Sequence, residues 1–260
     1  MWLKIRNKII KPNPLPYRIR FSYHKCLTRY MDAIFDKNVH FLGNQVEFVQ
    51  HVVQNRKALF ISLNNGAVYP GRKIFANAKM VHLIRHPKDL VISGYHYHKK
   101  GSETWNKMSL PKPKFYKFSL ELDHVLNDEE KKLLHPEVTY QELLQGLPFE
   151  KGMMTEMVWL KYIKTFSPLI YYQSSLLPTY RFEEIMEDPV AGVRKICQHW
   201  QLSEEDVAYY CDRAAHYNRN PSYPIRNSAA YQYKDVYTKE LNRFFKQQFN
   251  ELVTRLDYPD

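Results

Sequence analysis

The chain has 260 residues, which is enough for one domain with a sizeable hydrophobic core. Hydrophobic residues make up 44% and charged residues 25%, as in ordinary folded proteins, and the 8 glycines are too few for long flexible linkers. Lys and Arg number 38 against 27 Asp and Glu, which gives a formal net charge of +11. This excess favours an anionic partner and leaves open a nucleotide, a polyanion, a nucleic acid or an acidic membrane.

The cysteines and the apolar runs restrict the class of protein further. Cys26, Cys197 and Cys211 show neither a CxxC pattern nor the His/Cys spacing of a zinc site, which argues against a disulfide framework and structural zinc. No apolar run approaches the length of a membrane span, and the opening residues are interrupted by charge, unlike a signal peptide. We therefore expect a cytoplasmic protein with no integral membrane segment.

In chain order, the first half alternates between predicted strands and helices. Residues 17–23 alternate in polarity as a strand does, and residues 27–35 have helical spacing. Short apolar runs at 58–63 and 80–84 predict two buried strands, and residues 90–98 predict a helix. This alternation predicts an α/β fold with a central parallel sheet flanked by helices.

The second half continues the pattern after an interruption. Residues 101–150 are broken up by prolines and are rich in Lys and Glu, which predicts an insertion or lid rather than a second core. We expect a basic N-terminal arm at 1–15 and a single domain at 16–258. Further elements are predicted as strands at 169–172 and 179–182 and as helices at 153–165, 190–200 and 239–256.

The turn after the first predicted strand carries Lys25 and Thr28. In α/β sheets, anions bind beyond the carboxyl ends of strands, where turn amides and helix N-termini point outward. A lysine at the strand end and a hydroxyl in the first helical turn suit a 5′-phosphate, although the Walker pattern GxxxxGK[ST] is absent. Alternatively, Lys25 and Arg29 belong to a solvated helix start, and Cys26 and Leu27 pack in the core.

A second turn of this kind follows the predicted strand at 80–84. Arg85 ends that strand, and Ser93 lies eight residues further on, in the next predicted helix. A guanidinium and a hydroxyl in this arrangement can bind a phosphate from two sides. The alternative is that Arg85 forms an ion pair with Asp89 and that Ser93 is a small residue at a helix contact.

Four segments in this order resemble motifs of the sulfotransferases that use 3′-phosphoadenosine-5′-phosphosulfate (PAPS). Residues 24–30, HKCLTRY, are similar to the family's loop PKxGTTW, and residues 85–93, RHPKDLVIS, match its motif RNPKDxxxS. Residues 226–238 keep the spacing of a third motif, RKGxxGDWKNxFT. Residues 182–189 are similar to a family segment that begins Tyr-Glu-Asp and ends in proline.

The resemblance implies a P-loop-like sulfotransferase fold and an enzyme that moves a sulfuryl group from PAPS to a hydroxyl or amine, without a metal. Lys25 would contact the oxygen that bridges the 5′-phosphate and the sulfuryl group. Arg85 and Ser93 would bind the 3′-phosphate of PAPS, and Tyr30 and Phe182 would lie at the adenine. The implied donor site comprises Lys25, Cys26, Leu27, Thr28, Arg29, Tyr30, Arg85, Ser93, Phe182, Arg226, Asn227 and Ser228.

The sequence departs from the family pattern at the loop glycine and at the general base. Leu27 stands where the family usually has glycine. The loop at 62–66, where the family usually carries a catalytic His or Glu, has no titratable side chain. An acceptor such as an amine would need little help from a base. The candidates for a substitute base are His24, Asp32, His96 and His98.

Other functions remain open at this point. A non-catalytic protein that binds a nucleotide or the product 3′-phosphoadenosine-5′-phosphate (PAP) is compatible with the missing base. A P-loop kinase-like phosphotransferase would need a Walker lysine and a magnesium-binding acid, and the sequence offers neither. Because the basic residues are spread out, we expect no nucleic-acid partner and instead a small-molecule or glycan acceptor. The oligomeric state is open, a homo-oligomer included.

Overall fold

The computed structural model describes most of the chain. The predictions for the arm at 1–15, for the strand at 169–172, for His24 and for Arg226, Asn227 and Ser228 lie outside the described residues. The described residues are 17–22, 25–35, 38–41, 60–64, 78–101, 104–107, 109, 112–163, 177–219, 230–249 and 251–258.

Within these residues, a five-stranded sheet has the order β2-β3-β1-β4-β5. Every neighbouring pair is parallel, and Ile19 of the central strand β1 is aligned with Ile61 of β3 and Met80 of β4. The carboxyl ends of the strands therefore share one edge of the sheet, where α/β proteins bind ligands. The strands are β1 (Tyr17–Ser22), β2 (Asn38–Phe41), β3 (Phe60–Asn64), β4 (Ala78–Ile84) and β5 (Thr179–Arg181).

Helices surround the sheet, and local capping fixes where several of them begin. Pro87 is the first residue of α2, and the ring of His86 accepts a hydrogen bond from the amide of Lys88. The helices are α1 (Thr28–Ile34), α2 (Pro87–Lys100), α3 (Lys112–Leu122), α4 (Asp128–Lys131), α5 (Tyr140–Gly146), α6 (Phe149–Tyr162), α7 (Phe182–Glu187), α8 (Pro189–His199), α9 (Glu204–Arg219), α10 (Tyr233–Val236), α11 (Lys239–Phe249) and α12 (Leu252–Arg255), with a 3₁₀ helix at Thr104–Lys107.

One hydrophobic core joins the sheet to the helices on which the site depends. Met31 of α1 and Leu83 of β4 are buried in the same cluster as Phe118 of α3 and Leu143 of α5. The described part of the predicted insertion at 101–150 therefore packs into the main core. The predicted role of that segment as a lid on the acceptor side stays a prediction.

The predicted α/β class with a central parallel sheet is confirmed. The long helix α9 was not predicted, although its buried residues follow the helical spacing that indicates such a helix. Val207, Tyr210, Cys211, Ala214 and Tyr217 are buried at helical spacing, and most of these side chains are small or polar-tipped.

The turn between β1 and α1 contains two side chains in the left-handed backbone region. Lys25 has a φ of 66° and Leu27 a φ of 56°. For a residue with a side chain this conformation costs about 1–2 kcal/mol, which explains the family's preference for glycine at the position of Leu27. The Leu27 side chain is 7% exposed and packs in the core, and such burial contributes roughly 1.5–3 kcal/mol, which offsets the backbone cost.

This balance predicts an unusual order of stabilities for two variants. Leu27→Ala and Leu27→Gly both lose the buried side chain, but only glycine relieves the backbone. Leu27→Gly should therefore be more stable than Leu27→Ala by about 1 kcal/mol in urea unfolding, although glycine is normally the less stable of the two. An alanine variant at least as stable as the glycine variant would rule out the left-handed turn.

Candidate active site

The carboxyl ends of three strands meet around the guanidinium of Arg85. Arg85 directly follows β4 and is 6% exposed. Its Nη1 donates to the carbonyl oxygen of Lys25, beyond the end of β1, at 3.4 Å. Its Cζ lies 4.2 Å from the ring centroid of Phe182, which directly follows β5. Residues of three separate predicted elements thus come together at one edge of the sheet.

The Arg85 guanidinium keeps capacity to bind an anion. Its Nε is buried and has no hydrogen-bond partner among the described residues. Burial lowers the pKa of Arg85, and the nearby carboxylates of Asp89 and Glu183 act in the opposite direction. A guanidinium at the carboxyl edge of a parallel sheet lies where α/β proteins bind anions, so this edge of the sheet suits an anionic ligand.

Asp89 fixes the C-terminal segment against the start of α2. Its Oδ1 accepts a hydrogen bond from the amide of Tyr233 at 2.8 Å, at the beginning of α10. Burial raises the pKa of Asp89, and hydrogen bonds from the amides of Tyr233, Tyr231 and Gln232 oppose that shift. The ring of His86 stacks on Tyr233, with centroids 4.1 Å apart. The described end of the third motif therefore lies beside the second motif.

Glu183 connects α7 to the same place. Its Oε1 accepts the amide of His86 at 2.9 Å, and its Oε2 accepts the hydroxyl of Tyr258 at 2.9 Å. Burial raises the pKa of Glu183, while these hydrogen bonds and the charge of Arg85 lower it. Asp89 and Glu183 thus fix the surroundings of Arg85 through backbone amides.

Lys25 points across the turn to α2. Its Nζ lies 3.0 Å from the ring centroid of Tyr97. The sequence analysis did not identify Tyr97, although its position four residues after Ser93 puts both on one helix face and is a usable signal. Ser93 is half-buried on α2.

The other residues of the first loop divide between the site and the core. Thr28 is half-buried in the first turn of α1, with its Oγ1 3.4 Å from Oγ of Ser22, and Arg29 is exposed. Cys26 is buried in the core. Tyr30 is 3% exposed, and its ring packs edge-on against Tyr217 of α9, with centroids 5.2 Å apart. The adenine contact that the resemblance implies for Tyr30 stays a prediction.

Two candidates for the general base are held by other side chains. Asp32 accepts a hydrogen bond from the buried guanidinium of Arg20 at 2.8 Å. His98 is 1% exposed, and its Nδ1 lies 2.8 Å from Oε2 of Glu156, which also accepts the hydroxyl of Tyr140. These contacts give Asp32 and His98 structural roles, so neither is retained as a base.

His96 differs from these candidates in its surroundings. It is exposed on α2, and its ring packs near the rings of Tyr95 and Phe149. No hydrogen bond to His96 is recorded among the described residues. Burial, together with the positive charges of Lys100 and Lys99, holds the pKa of His96 below its ordinary value of 6.5. Its imidazole is therefore neutral at pH 7 and can accept a proton.

Two further features of the described ranges bear on partners. No helix in those ranges is long and apolar enough to cross a bilayer. In the same part of the chain, no group of three His, Cys, Asp or Glu side chains is arranged as metal ligands would be.

Solved structures similar to the chain share little sequence with it. The mouse sulfotransferase SULT7A1 complexed with PAP is 14% identical, with a TM-score of 0.47 and coverage of 96% of this chain and 90% of that one. Retinol dehydratase in complex with retinol and PAP is 12% identical, with a TM-score of 0.43 and coverage of 92% of this chain and 82% of that one. At these values neither likeness establishes a ligand or an acceptor for this chain.

Sequence comparisons give a clearer result. No curated protein matches the chain significantly. A family model described as the sulfotransferase domain matches residues 65–252, a stretch that contains Arg85 and Ser93 and begins after the Lys25 turn. Because this match covers more than half of the chain, the chain belongs to the sulfotransferase family.

Proposed function

We propose that the chain transfers a sulfuryl group from PAPS to a hydroxyl or amine of a small-molecule or glycan acceptor, and releases PAP. The observation that carries this proposal is the contact of Arg85 with both the Lys25 turn and Phe182. It brings two cations to one edge of the sheet, on turns that follow neighbouring strands. A nucleotide with phosphates on both its 3′ and 5′ positions is a ligand that such an edge can bind.

In this proposal, the first loop binds the 5′ end of the donor. The acceptor atom attacks sulfur in line, the bond between sulfur and the bridging oxygen breaks, and that oxygen leaves on the phosphate of PAP. The ammonium of Lys25 neutralises the charge that develops on this oxygen. Thr28 and the amides of residues 26–30 hold the phosphate oxygens. The protein contributes alignment and electrostatic stabilisation, and no covalent intermediate is needed.

Arg85 and Ser93 bind the 3′-phosphate in this proposal, together with Arg226, Asn227 and Ser228. The place of the Arg85 guanidinium supports the assignment, because it lies at the carboxyl edge of the sheet and its planar set of N–H donors suits a phosphate. Phe182 supplies an aromatic surface beside that group for the adenine. A cytoplasmic location is predicted from the sequence and stays a prediction.

Among the described candidates, we propose His96 as the general base. His24 lies outside the described residues and stays a candidate. His96 is exposed on α2, three residues after Ser93, and its lowered pKa keeps the imidazole in the form that accepts a proton.

Replacing Lys25, the cation that is proposed to contact the leaving oxygen, tests the chemical step. Lys25→Ala should lower kcat by about 10²–10³-fold, because a preorganised contact to a developing oxyanion is lost. The measurement is transfer from labelled PAPS to a panel of phenols, alcohols, amines and sulfated glycans, with the best wild-type acceptor used for comparison. Lys195→Ala, an exposed lysine on α8, is the matched control and should keep the wild-type rate. Wild-type turnover by Lys25→Ala would refute the assignment.

The pH dependence of transfer tests His96. Since only the neutral imidazole accepts a proton and its pKa is lowered, the rate should rise with pH along an acid limb whose midpoint lies below pH 6.5. His96→Gln should remove this limb and reduce kcat by about 100-fold or more. His135→Gln, an exposed histidine between α4 and α5, serves as the control and should preserve the limb. An unchanged limb in His96→Gln would exclude His96 as the base.

A further inference from the structure

The contact between Lys25 and Tyr97 joins two elements that the sequence separates widely. The ammonium lies 3.0 Å from the centre of the Tyr97 ring, which is within the range of a cation–π interaction. Lys25 lies in the turn after β1 and has a left-handed backbone with a φ of 66°. Tyr97, which is half-buried, lies where the Lys25 side chain ends.

We propose that Tyr97 is a positioning residue for Lys25, whose ring fixes the ammonium at the carboxyl edge of the sheet before the donor arrives. The proposal rests on the proposed function of Lys25 as the cation at the leaving oxygen. With this contact, Lys25 is held at both ends. Nη1 of Arg85 holds its carbonyl oxygen at 3.4 Å, and the Tyr97 ring holds its Nζ.

An aromatic ring is better suited than a carboxylate to hold the Lys25 ammonium in place. A carboxylate would cancel the positive charge that the leaving oxygen requires. A ring face attracts the ammonium through its quadrupole and leaves the net charge in place. The ammonium has three N–H donors, and a ring that covers one side of it leaves donors for phosphate and bridging oxygens. The lysine is thereby ordered in advance without being neutralised.

The face of α2 next to Tyr97 packs against α6. His98 is buried and bonded to Glu156 of α6, and the carbonyl oxygen of His98 accepts a hydrogen bond from the side chain of Asn106. Gly94 of α2 lies directly against the Glu156 side chain, so that a Cβ there would clash with it. These contacts keep α2 close to α6 and fix the backbone position from which the Tyr97 ring extends.

The direct test measures how accessible the Lys25 amine is. Purified full-length protein is treated with an amine-acylating reagent, and the modification rate of each lysine is followed by peptide mass spectrometry. Tyr97→Leu should raise the rate at Lys25 by roughly 3- to 30-fold, the factor that a cation–π contact represents. Tyr97→Phe, which keeps the ring, should stay within about 2-fold of the wild type. Lys195 serves as the internal control and should react at the same rate in every variant.

The second readout is kinetic. Tyr97→Leu should lower kcat for transfer from PAPS by a factor similar to its change in labelling, with a much smaller change in the donor KM, and Tyr97→Phe should restore most of the loss. Tyr97→Met provides a second ring-free variant if Tyr97→Leu unfolds, as judged from its thermal transition.

The two readouts separate this proposal from the proposed function. If Lys25 is labelled faster in Tyr97→Leu than in the wild type, but the wild type transfers no sulfuryl group to any acceptor, the proposed function is refuted and the contact between Lys25 and Tyr97 stands. Labelling of Lys25 at the wild-type rate in both ring-free variants would overturn the positioning role, and so would a Tyr97→Phe protein that behaves like Tyr97→Leu. The positioning role would also be overturned if the wild type transfers sulfuryl groups and Tyr97→Leu and Tyr97→Met keep the wild-type kcat.

Discussion

The guanidinium of Arg85 is the constraint on which the proposed site depends. It is buried at the end of β4, touches the carbonyl oxygen of Lys25 beyond β1, and lies over the ring of Phe182 beyond β5. Asp89 and Glu183 surround it, but each uses its carboxylate to hold backbone amides from other segments. The result is an edge whose scaffold is fixed by hydrogen bonds around the guanidinium of Arg85.

Three cations near the carboxyl edge of the sheet each lie close to an aromatic ring. Lys25 lies on Tyr97, Arg85 on Phe182, and the buried Nζ of Lys88 is 4.9 Å from the ring centroid of Tyr233. Such contacts stabilise a positive charge without cancelling it. In the proposed site, they would order the cations and leave their charge available to an anionic donor.

Local sequence patterns predict individual strands, helices and turns. They do not predict which distant elements come into contact. Apolar runs and turns predict β1, β4 and the parallel sheet, since each strand and its following helix carry their own signals. The meeting of Arg85 with Phe182 depends on strand order, which no local pattern encodes. The adenine contacts implied for Tyr30 and Phe182 by their motif positions stay predictions, and the packing of Tyr217 from the missed helix α9 on Tyr30 was not predicted. The contact of Lys25 with Tyr97 joins two segments of the chain that lie far apart in sequence, and no local pattern predicts it.

The central claim is that Arg85 recognises a phosphate on the 3′ position of an adenosine nucleotide. Titration calorimetry with PAP and with ADP, on the wild type and on Arg85→Ala, measures this directly. The account predicts that the wild type binds PAP at least about 10-fold more tightly than ADP, as expected for a charge-assisted hydrogen bond, and that Arg85→Ala loses this preference. Equal affinity of the wild type for the two nucleotides, or a preference that survives in Arg85→Ala, would contradict it.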